Sequence, residues 1–245
     1  MKENKFKLNA DKTHLLTVGT SIRVKGLPHH VQVEMDGVEL EENLEKCEVL
    51  LGVSIEYSLK WHKTIQGLQS RLKQRLAGLS KLKFIVPYAM LKTITQGIFN
   101  SVLIYCLPLF GGCDKGELGD LQVLQNKAAQ IVTRSPPRSV RNVMYDKLDW
   151  LTVNQLIAYH TLIQVFKIRN SREPEYLSGI LRNDNRNGHI AIPNSDLTLA
   201  MKSFTFRGAK LWNSLPAHIR SCSKIGMFKS QSRKWVNEVI PRFLD

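Results

Sequence analysis

Apolar positions along this chain change their spacing once, near residue 61. Upstream they fall in short alternating or β-branched runs, at residues 12–18 (KTHLLTV), 31–35 (VQVEM), 38–40 (VEL) and 47–53 (CEVLLGV). A period of two places every second side chain on one face, so these runs predict strands. Asp36-Gly37 lies between two of them, and Asp-Gly is favoured where both central turn residues need a positive φ. The spacing predicts a hairpin over residues 31–41, with a strand through Val49, Leu50 and Leu51 pairing beside it in a small antiparallel sheet.

Downstream the period is helical. Ile65, Leu68, Leu72, Leu76, Leu79 and Leu82 recur at three and four residues, forming one stripe of a helix over residues 62–85 that Pro87 ends. Lys63, Arg71, Lys73, Arg75, Lys81 and Lys83 lie largely off that stripe. A second helix is expected over residues 88–107 and a third over 117–132, carried by Leu121, Leu124, Ala128 and Ile131. Ser135-Pro136-Pro137 starts a fourth, with a capping serine and prolines in the first turn. Further helices fit residues 152–169 and 223–239, and the Asn-rich stretch 182–188 reads as a surface loop. The fold class is therefore α+β and predominantly helical, a small antiparallel sheet followed by a helical bundle.

Composition adds a partner class. The chain has 245 residues, 43% of them apolar, enough for a buried core in one or two domains. Its net charge is +14. Residues 1–60 hold 8 Lys and Arg against 10 Asp and Glu, and the rest hold 27 against 11, so the positive excess is entirely downstream. Such an excess favours polyanionic partners. Cys47, Cys106, Cys113 and Cys222 are scattered, which argues against a zinc site or a disulfide scaffold and for an intracellular compartment. The longest apolar run, residues 102–110, is broken by Pro108 and is far shorter than the ~18 residues of a membrane span, so no membrane partner is expected.

Catalytic chemistry is harder to find. Two-metal nucleotidyl transfer needs neighbouring carboxylates that share divalent ions, and the sequence has no Asp-Asp pair. Asp146 and Asp149 could share a helix face, yet beside Lys147 and Trp150 they read as a solvated helix end. His29 and His30 follow Pro28 in a loop, and the other histidines stand alone. Signatures for zinc hydrolysis, acyl transfer and phosphate loops are missing. The basic features carry more. Arg134, Arg138 and Arg141 flank the Ser-Pro-Pro segment and crowd an expected helix N-terminus, where the macrodipole disfavours cations; a bound phosphate would relieve that cost, and so would screening by water and counterions. Lys63, Arg71, Lys73, Arg75, Arg134, Arg138 and Arg141 are the candidate nucleic-acid contacts.

Several segments together resemble a known family. Asn9-Ala10-Asp11-Lys12-Thr13 is similar to the Asn-x-x-Lys-Thr segment of the reverse transcriptase palm, and residues 49–55 (VLLGVSI) with Trp61-His62 resemble the strand that follows it in non-LTR retrotransposon polymerases. Residues 121–129 (LQVLQNKAA), 148–153 (LDWLTV), then Phe204, Arg207 and 211–216 (LWNSLP) look like the downstream region of jockey-like and CR1-like element polymerases, in the same order. Thr152 stands where a proline is common. The resemblance covers nearly the whole chain. It implies a palm remnant in residues 1–60, a basic thumb-like region in 61–134 and a helical extension in 135–245, holding an RNA/DNA template-primer duplex without reading bases. By the same resemblance Lys12 would lie near the phosphates of the incoming nucleotide; read alone, it is equally an exposed lysine before an edge strand. The family's Tyr-x-Asp-Asp carboxylates, which hold Mg²⁺ in the complete enzyme, lie upstream of Asn-x-x-Lys-Thr. The expectation is thus a reverse transcriptase fragment, without cofactor or polymerase activity alone. A domesticated protein-interaction module, and a thumb supplied in trans to an upstream polymerase fragment, are the alternatives.

Overall fold

The computed structural model describes residues 9, 13–19, 33–35, 38–40, 47–171, 177, 179–182, 184 and 188–242. It is α+β and predominantly helical, and it divides into two compact units, Met1–Gln66 and Gly67–Asp245.

In the first unit β1 (Val33–Met35) pairs antiparallel with β2 (Val38–Leu40), Met35 facing Val38, as the hairpin reading requires; Asp36-Gly37 lies outside the described residues. The third expected strand is different. Residues 47–53 do not run straight beside that hairpin but fold on themselves as β3 (Cys47–Leu50) and β4 (Val53–Glu56), a separate two-stranded sheet. The turn is Leu51-Gly52, with φ of 50° and 78°. Two successive positive φ values give the backbone twist that suits a two-residue hairpin, and Gly52 takes its share without strain. Val49, Leu50 and Leu51, expected in a strand beside the hairpin, are all exposed. Of the run 12–18, the described residues 13–18 form no strand. Leu15 makes an isolated bridge, and Gly19 donates its backbone N–H to the Tyr57 carbonyl at 2.9 Å.

Helix α1 (His62–Leu82) follows β4 after residues 57–61. The Thr64 hydroxyl donates to the Ser54 carbonyl at 2.6 Å, and the Lys63 N–H to the Glu56 carboxylate at 3.3 Å. An acid at a helix N-terminus satisfies orphan N–H groups and suits the macrodipole. Ile65, Leu68, Leu72, Leu76 and Leu79 are all buried, as their spacing predicts.

In the second unit the expected helix over 88–107 is interrupted. It runs as α2 (Tyr88–Thr95), a π-helical turn (Gln96–Asn100) and α3 (Ser101–Ile104), and breaks where Cys106 takes a φ of 54°. A short α4 (Leu107–Phe110) leads to Gly111 and Gly112, then α5 (Lys115–Thr133). Asp114 and Glu117 form a capping box at the start of α5, two orphan N–H groups being satisfied reciprocally. After α6 (Arg141–Leu148) comes α7 (Val153–Ser171), which begins with a second reciprocal cap. The Thr152 N–H donates to Gln155 Oε1 at 3.2 Å, and the Gln155 N–H to Thr152 Oγ1 at 3.5 Å. A proline at that place could supply neither bond, since it lacks the N–H and the hydroxyl.

The core gathers on α7. Leu162, Val165 and Phe166 pack with α9 (Phe204–Asn213) and α11 (Ile225–Val239), where Phe228 stacks on Phe166 at 4.3 Å and on Trp212 at 5.7 Å. Short helices α8 (Thr198–Met201) and α10 (Ala217–Arg220) flank α9. The sequence motifs of this half turn out to fasten one another. Gln125 donates to the Leu151 carbonyl at 2.9 Å, Gln122 accepts from the Val153 N–H at 2.9 Å, and both amides meet the buried Tyr145 hydroxyl. Arg207 donates to the Pro108 carbonyl at 2.7 Å and to the Lys202 carbonyl at 2.9 Å.

Candidate nucleic-acid interface

Between Glu56 and Asp114 the sequence contains no acidic residue, nor does it between Asp120 and Asp146. The fold brings these two stretches together. Gln69 hydrogen-bonds Asp120 at 3.3 Å near the start of both helices. Further on, Leu76, Ala77 and Ser80 of α1 and Lys83, just past its end, line a cleft of about 420 Å³ together with Lys127, Gln130 and Ile131 of α5. The two helices therefore run in the same direction, and their C-terminal halves form walls whose charges are all positive.

The sequence-predicted contacts divide around this cleft. Lys73 sits one turn before Ala77 and, at about 100° per residue, shares the cleft side of α1 with Ser80. Arg71 and Arg75 fall on the opposite flank of the buried stripe. There the Cys106 thiol pushes the Tyr105 phenol upward and Arg71 opposes it. All four, counting Lys63 at the helix start, are exposed.

Arg134 and Arg138 do not crowd a helix N-terminus. Residues 135–140 form a turn, and α6 starts only at Arg141. Arg134 instead ends α5 in the left-handed region, at φ 54°, and donates to the Val86 carbonyl at 2.7 Å. A cation there faces the negative end of the macrodipole, so its electrostatic cost is reversed in sign. Arg138 is exposed in the turn with φ 66°, and Arg141 is exposed as the first residue of α6. Pro136 and Pro137 suit a turn as well as a first helical turn, which is why the capping pattern misled. Lys12 lies outside the described residues. The residues that sequence reasoning passed over are Lys83 and Lys127 as cleft walls; the missing acids around them were the available signal.

Carboxylates elsewhere are engaged at helix ends. Asp146 pairs with Arg242 at 2.7 Å and Asp149 with Arg233 at 3.1 Å. Among the described residues no group of three or more His, Cys, Asp or Glu side chains could hold a metal ion, and no helix is long and apolar enough to cross a membrane. Burial, with Glu117 and Asp114 adding to it, pushes the Cys113 thiol up to about 12. Burial also lowers His160, and Lys229 adds to that shift. Both groups are neutral near pH 7, so neither adds charge to the balance of the unit. Comparison with protein-family models, curated proteins and solved structures finds no match to the chain.

Proposed function

We propose that this chain binds nucleic acid through its phosphates, without reading base sequence, by drawing the backbone into the cationic cleft between α1 and α5. The observation that carries the reading is that cleft: Lys83 and Lys127 both line it and none of its lining residues is acidic, while Lys73 lies on the same side of α1. Phosphate contacts of this kind position a strand and carry no sequence information. The motif resemblance gives the partner a chemical class, an RNA/DNA template-primer duplex, and gives the chain the role of a thumb-like portion of a non-LTR retrotransposon reverse transcriptase. In that role it works inside the cell, and polymerisation with Mg²⁺ belongs to an upstream polymerase portion.

Two arms test the reading on the purified 245-residue chain. Fluorescence anisotropy with duplexes of unrelated sequence should give equal affinities that fall with salt at a log–log slope of about −3 to −5, roughly 0.9 per phosphate contacted. Primer extension with Mg²⁺ should give no product. A flat salt dependence defeats the phosphate reading, and templated synthesis by the chain alone defeats the division of labour.

A further inference from the structure

In the turn between α1 and α2 two large apolar side chains project into solvent, Phe84 at 82% exposure and Ile85 at 76%. No described large apolar side chain of the Gly67–Asp245 unit is more exposed. Leaving an aromatic ring in water forgoes the favourable transfer that its burial would give, so such a ring invites a partner. The turn is not loose at its base, because Arg134 from the end of α5 holds the Val86 carbonyl. Phe84 also adjoins the cationic cleft directly. The Lys83 ammonium, which lines the cleft, stands 4.7 Å from the centre of the Phe84 ring.

A protein partner for an aromatic anchor would normally meet a rim of mixed charge, whereas every charged residue of the sequence around this one, in 57–113, is cationic. A flat π-face at the mouth of an all-positive groove matches what unpaired strands require, a base stacked on an aromatic side chain with its phosphates in a basic channel. We propose that Phe84 is a stacking platform for an unpaired nucleobase, so that the chain favours duplexes with a single-stranded overhang over blunt ones. This rests on the phosphate-binding reading above and adds a structural preference to it.

The test uses the full chain and two labelled probes of equal duplex length, one blunt and one with a single-stranded overhang. The wild type should bind the overhang probe about tenfold more tightly, the scale of one base–aromatic stack. Phe84→Ala and Phe84→Leu should remove that advantage while leaving blunt-duplex affinity within about twofold, and Phe84→Trp should keep it, since stacking needs a ring and apolar bulk does not replace it. Because the side chain is exposed, these variants should retain the wild-type circular dichroism spectrum and melting temperature. Equal wild-type affinity for the two probes, or full retention of the preference by Phe84→Leu, overturns the stacking role while leaving phosphate binding intact. Failure to bind either probe overturns both.

Discussion

Gly112→Ala should lower the thermal midpoint of the helical unit by roughly 10 °C, because the added methyl has nowhere to go. A Cβ built on Gly112 would lie 2.2 Å from the Lys202 carbonyl oxygen and 3.0 Å from its carbon, with the Arg207 Nε at 3.1 Å. Backbone cannot swing aside as a flexible side chain can, and Arg207 is itself committed to the Lys202 and Pro108 carbonyls. Relieving the clash separates the α4–α5 connection from the segment between α8 and α9, breaking those charge-assisted bonds at about 1.5–3 kcal/mol each if left unmade. Overpacking alone costs about 1–3 kcal/mol, and in a unit of this size each kcal/mol moves the midpoint by about 2–4 °C. Gly78→Ala is the matched control. Gly78 is exposed within α1, its Cβ would meet nothing within 4 Å, and alanine is favoured over glycine in a helix interior by about 1 kcal/mol. Its midpoint should rise by a few degrees. Equal melting of the two variants by circular dichroism would contradict the close approach at Gly112.

The second large effect concerns binding. The triple variant Lys73→Ala, Lys83→Ala, Lys127→Ala should weaken duplex binding about a hundredfold at 0.1 M salt and make the salt slope shallower by nearly 3, since each lost phosphate contact removes roughly 0.9 from it. The double variant Arg71→Ala, Arg75→Ala removes a comparable charge from the other flank of α1. It should cost less than about threefold, through the weaker and screened field of charges that touch no phosphate. Folding should survive in both, because all five side chains reach solvent in the structure and none of the five is buried in the core. Similar losses for the two variants would mean that overall charge, rather than the cleft, sets affinity.

Much of the fold could be read from spacing alone, and the exceptions have physical causes. The stripe from Ile65 to Leu79 was legible because a solvent-facing helix must repeat its apolar residues every three to four positions. The start and end of α5, α7 and α11 followed from the same rule to within about two residues. The π turn at Gln96–Asn100 left no mark, since one extra residue per turn only shifts the stripe. The turn at Leu51-Gly52 is hidden in the sequence because apolar residues on both sides of Gly52 continue the pattern of a strand. Helix α9 went unread as a helix: Gly208 sits in its middle, which lowers the propensity, and its role emerges only in packing, where a Cβ would meet Val165 Cγ2 at 3.0 Å.

The site was half legible. The basic character of α1 was plain, but a charge count cannot say which lysines face a partner. Applying the helical angle from the buried stripe would have separated Lys73 from Arg71 and Arg75. Pairing α1 with α5, and hence Lys83 with Lys127, is tertiary information that no local pattern contains. The Arg134 and Arg138 cluster shows the converse. One helix boundary moves Arg134 to the negative end of α5 and Arg138 into a turn, while Arg141 keeps its place at a helix N-terminus.

Lysine footprinting tests the central claim most directly. The full chain is acetylated with a soluble amine-reactive ester, with and without a saturating duplex, and each lysine is quantified by mass spectrometry. Lys73, Lys83 and Lys127 should become several-fold less reactive when the duplex is bound, while Lys115 at the opposite end of α5 and Lys229 on α11 react as before. Uniform protection of all lysines, or protection centred on Lys229 and Lys234, would place the strand elsewhere and contradict the cleft.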